Sequence, residues 1–109
     1  MTRKTDSGGN GRRGCEEIAD ALVKLYEQPF GGRTSGKYRV SRKFLRQIAG
    51  RRHLSSQILN AITEEMYERG FAFIDLETYF AVIDQRQFNG FRRLTSAATE
   101  SVVGGSGGG

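Results

Sequence analysis

The sequence holds one cysteine, one proline and one histidine, and it has no tryptophan. The single thiol, Cys15, cannot close an internal disulfide, and it fits a reducing compartment. Cys15 and His53 lie far apart in sequence and supply too few nitrogen and sulfur ligands for a zinc set. No apolar run approaches the roughly 20 residues that span a bilayer, and no hydrophobic stretch follows the early basic residues as in a secretory leader. A cytoplasmic protein without membrane partner or cofactor is the expectation.

Large apolar residues are also scarce at both ends. Residues 1–14 (MTRKTDSGGNGRRG) and 95–109 (TSAATESVVGGSGGG) are rich in Gly, Ser and Thr. Such composition buries too little surface to offset ordering entropy, so a flexible basic N-terminal tail and a flexible Gly/Ser-rich C-terminal tail are expected. Residues 15–94 remain as one domain with one modest core.

Carboxylates are missing from the middle of the chain. Between residues 33 and 53 stand Arg33, Lys37, Arg39, Arg42, Lys43, Arg46, Arg51 and Arg52 without a single Asp or Glu. The acids lie on either side, from Glu16 to Glu27 and from Glu64 to Asp84. The net charge is +5, but the segregation matters more: an unbroken cationic block creates a local field suited to a polyanion.

Periodicity orders the domain. Ile18, Leu22 and Leu25 recur at helical spacing, which predicts a helix over 15–27, stopped by Pro29. The Gly-rich run from Phe30 to Gly36 reads as a connector. It lacks the spacing of a phosphate-binding loop. Tyr38 and Val40 suggest a short strand over 37–40. A second helix is predicted over 41–49, capped by Ser41 and buried through Leu45, Ile48 and Ala49. A third is predicted over 55–69, with Ser55 as cap, Leu54 as staple and Leu59, Ile62 and Met66 inward. Phe71–Ile74 and Tyr79–Ile83 then read as two strands around an acidic turn, Asp75 to Thr78. Phe88, Phe91 and Leu94 are candidates to cover the hairpin's outer face. Tyr79 sits in an apolar strand and reads as core. No acid–base pair or activated nucleophile emerges, and no enzymatic activity is expected.

The stretch from Leu45 to Ile62, LRQIAGRRHLSSQILNAI, resembles a helix-turn-helix. The resemblance rests on Ile48-Ala49 in the first helix, Leu54 in the turn, Ser55 as cap, and Leu59 and Ile62 after it. One position departs from the pattern: His53 stands where the turn usually has Gly. The resemblance implies an α+β, mainly helical fold of the winged helix-turn-helix superfamily, with three helices and a C-terminal β-hairpin wing. It further implies sequence-specific binding of double-stranded DNA, with the third helix in the major groove. Gln57, Asn60 and Glu64, with Ser55 and Ser56 beside them, are then the candidate base-reading residues. Arg42, Lys43, Arg46, Arg51, Arg52 and His53 are the candidates for phosphate or guanine. Such a protein would serve as a small transcriptional regulator or a plasmid- or phage-borne DNA-binding factor, alone or as a homodimer. Two alternatives stay open: a protein–protein adaptor using Phe71, Phe73, Tyr79 and Phe80 on the wing, and binding to structured RNA.

Overall fold

The computed structural model describes residues 13–104. Residues 1–12 and 105–109, which hold most of the two expected tails, lie outside that range. Helix α1 (Cys15–Tyr26) is followed by strand β1 (Tyr38–Ser41), helices α2 (Arg42–Ala49) and α3 (Ser56–Glu68), and strands β2 (Phe71–Asp75) and β3 (Tyr79–Asp84). A 3-10 segment (Gln85–Gly90) and helical turns at Ser96–Thr99 and Glu100–Gly104 complete the described chain. The fold is therefore α+β and mainly helical. The last two turns fall where an unstructured tail was expected, and their residues up to Val103 are exposed.

Local chemistry explains most boundaries. The Ser41 hydroxyl accepts from Phe44 N at 3.0 Å and starts α2. The Ser55 hydroxyl accepts from Ile58 N at 3.2 Å and starts α3. Each serine satisfies one of the amides that a helix start leaves without an intrahelical partner. The loop after α1 is more ordered than its composition suggests. Phe30 and Arg33 pair as an antiparallel bridge around Gly31 and Gly32, whose φ values of 60° and 84° are both positive. Two consecutive positive φ angles favour glycine, and this tight reversal needs both.

The hairpin expected from the sequence gains a third member. The sheet is antiparallel in the order β1-β3-β2, with Val40 opposite Phe80 and Phe73 opposite Val82. Alternation then sends Val40, Phe73, Phe80 and Val82 to one face. There they join Ile18, Ala19 and Leu22 of α1, Leu45 and Ala49 of α2, and Ile62 and Met66 of α3 in a single buried cluster. The Phe73 and Phe80 rings stack at 4.9 Å within it. Tyr38 reaches inward as well, its hydroxyl donating to Leu22 O at 2.6 Å, and burial raises its pKa. The expected cover for the sheet's other face does not form from Phe91 and Leu94, which are exposed. Phe88 is half-buried and meets Phe91 edge to face at 5.0 Å.

Candidate nucleic-acid interface

The geometry of the α2–α3 pair begins at Gly50. This residue closes α2 with φ 67° and ψ 33°, a left-handed conformation that side chains disfavour, so glycine suits it. His53 keeps a negative φ, because Glu77 is the sole non-glycine residue with positive φ among the described residues. The unusual His is thereby accommodated: the left-handed step sits three positions earlier, and the connection runs from Gly50 to Ser55. Leu54 in that connection is half-buried against the core.

Helix α3 packs on α1 and β2 and turns its other side to solvent. Ile62 and Met66 are fully buried, whereas Ser56, Gln57, Asn60, Thr63, Glu64 and Tyr67 are exposed. These residues form one stripe because they recur at three- and four-residue steps. Gln57 and Asn60 hold their amides free of hydrogen bonds to any other described residue. Each amide thus presents a donor and an acceptor side by side. Thr63 and Tyr67 belong to the same stripe and were missed in the sequence, although their spacing from Asn60 places them there. Glu65 is different. Its carboxylate pairs with Arg69 at 2.7 Å, and Arg69 also binds Asp20 of α1 at 2.9 Å. The hydrogen bond that Arg69 donates to Glu65, then the one it donates to Asp20, raises the Arg69 pKa, and the bond to Asp20 ties the end of α3 to α1.

The cationic block divides in space. Lys43 and Arg52 are exposed, with His53 and Ser55 beside Arg52 in the turn, and Arg46 is half-buried. Lys37 donates to Gln87 at 3.3 Å, and Arg39 lies 5.2 Å from the Tyr79 ring centroid. Arg42, one of the expected phosphate contacts, is engaged within the fold. Its Nη1 donates to Asp75 at 3.2 Å and to Glu77 O at 2.8 Å, so it fastens α2 to the hairpin turn. The acidic turn attracts the nearest guanidinium and neutralises it. Arg51 is engaged within the fold as well. Its Nη2 donates to Arg13 O at 3.0 Å, and its Nε is buried without a partner among the described residues.

Arg13 itself had been assigned to a flexible tail, yet it is firmly held. Its backbone N–H donates to Ala49 O at 3.0 Å and its Nη1 to Ile48 O at 2.7 Å. These are carbonyls of the last turn of α2, where the helix leaves acceptors free and a cation is favoured. Arg13 is thus bound beside the α2–α3 turn.

The β2–β3 turn is short and tight. Leu76 N donates to Tyr79 O at 2.9 Å, and Glu77 N to Asp75 Oδ1 at 2.8 Å. Phe73 and Phe80, two of the four aromatics of the adaptor alternative, are interior and offer no surface. No helix among the described residues is long and apolar enough to cross a membrane. No protein-family profile, curated protein or solved structure matches this chain.

Proposed function

We propose that this α+β domain is a winged helix-turn-helix that binds double-stranded DNA sequence-specifically, with α3 in the major groove. The observation that carries the reading is the stripe on α3: exposed Gln57, Asn60 and Glu64 beginning one turn after a cationic connection. Gln57 and Asn60 suit bidentate pairing with adenine, and Glu64 can accept from the amino group of cytosine. Lys43, Arg46, Arg52 and His53 supply positive charge for the flanking phosphates, helped by the positive end of the α3 dipole. The order of elements and the β1-β3-β2 sheet are compatible with this architecture. A regulatory or replication-type role on plasmid, phage or chromosomal DNA follows from such binding.

Selection from a random duplex library tests the proposal. Enrichment of a short motif, lost with Asn60→Ala, supports it. Retention of RNA in preference to duplex, or of no nucleic acid at all, rejects it.

A further inference from the structure

We infer that the helical segment after the sheet docks into an apolar groove on a second copy of this chain, the two copies exchanging their segments reciprocally. Thr95 caps the segment, its Oγ1 accepting from Ala98 N at 3.1 Å, and the turns Ser96–Thr99 and Glu100–Gly104 run on without a break. Together they are shorter than the roughly 12–15 residues that hold a helix in water without packing. Their own domain leaves them uncovered: from Phe91 to Val102 every residue is exposed. Phe91, Leu94 and Val102 are 65%, 79% and 81% exposed. Ala98 and Val102 stand about one turn apart, with Leu94 just before the cap. An apolar stripe on a helix too short to stand alone requires a surface to lie on.

That surface is a groove of about 410 Å³ between the end of α1, β1 and α2. Leu25, Phe30, Tyr38, Val40, Phe44 and Ile48 make its walls, and Phe44 is 56% exposed. Among the described residues no carboxylate lines it, and its one charged side chain is that of Arg39. The chain beyond Arg93 carries a single charged side chain, Glu100. Helix and groove are thus both apolar and opposite in sign. One chain carries both halves of the complementarity, so a second copy meets each groove with a helix and the pair closes on itself under a two-fold axis.

Sedimentation velocity of the full chain from about 1 to 100 μM should show a monomer–dimer equilibrium. Phe44→Asp in the groove and Leu94→Asp/Val102→Asp on the segment each raise the dissociation constant about tenfold or more. All three residues are exposed, so unfolding midpoints stay near that of the wild type. Mixing the two variants restores part of the association, because one intact groove then meets one intact segment. Glu100→Arg weakens the dimer about threefold or more, and adding Arg39→Glu to the same chain restores it. A wild type that stays monomeric throughout, as it would with each segment folded into its own groove, overturns the proposal. So does a dimer that neither Phe44→Asp nor Leu94→Asp/Val102→Asp weakens.

Discussion

The Arg42 guanidinium lies 4.8 Å from the centroid of the Phe80 ring and donates to the Asp75 carboxylate at the edge of the same sheet. A cation at the start of α2 therefore seals the core and holds the hairpin turn in one step. Replacing Arg42 by Ala removes a cation–π contact of about 0.5–1 kcal/mol and a charged hydrogen bond to Glu77 O. The partly exposed ion pair with Asp75 adds little. Urea unfolding should show a loss of about 1–2 kcal/mol for Arg42→Ala and under about 1 for Asp75→Ala. The salt slope of DNA binding should not change for Arg42→Ala, in contrast to Arg52→Ala, which should flatten it by about 1.

Gly50 and His53 separate the turn's geometry from its sequence pattern. Gly50→Ala forces a side chain into the left-handed region and should destabilise the fold by about 1–2 kcal/mol. His53→Gly, which restores the common residue of the motif, should bring no stabilisation. A gain of stability from His53→Gly would place the strained position at residue 53 after all.

Tyr38 gives the alkaline limb of the stability curve a cause. Burial raises its phenol above the usual value of about 10, so the folded state keeps a proton that the unfolded chain releases. Its contribution is complete below pH about 10 and falls away as pH rises from there toward the folded pKa. Denaturant titrations at pH 8 to 11 should show stability falling in the wild type, with a weaker dependence in Tyr38→Phe. Equal slopes in both would remove Tyr38 as the source.

Asp84 acts at the opposite limit. The hydrogen bond from Arg86 holds its carboxyl below the usual carboxylate range, so its contribution is present above that range and is lost as pH falls through the folded value. Asp84→Asn should flatten the acid limb of the stability curve, read by circular dichroism between pH 2 and 5.

The helices were legible because their signals are local. Serine caps, a 3.6-residue period and a terminating glycine all lie within a few residues of the boundary they set, as at Ser55 and Gly50. The third sheet member was half legible: Tyr38 and Val40 alternate, but four residues say nothing about which strand they join. The solvent-facing stripe of α3 was legible, because burial of Ile62 and Met66 fixes the direction of Gln57 and Asn60. It was illegible for the long cations. An arginine's charge is visible in sequence, yet its partner depends on what the fold brings within reach, and so Arg42 and Arg51 went to Asp75 and Arg13 instead of to solvent. Arg13 was hidden by the glycines around it, whose composition says flexible while the carbonyls at the end of α2 supply acceptors from 35 residues away.

The most direct test of α3 as the reading element is discrimination by the Gln57→Ala/Asn60→Ala variant. Its affinity for the best selected duplex and for random duplex is measured at a single salt concentration, with unfolding midpoints checked for equality. Two lost bidentate contacts, each about 1–3 kcal/mol, should lower the ratio of specific to random affinity at least tenfold and leave random binding unchanged. A ratio equal to that of the wild type would contradict the account.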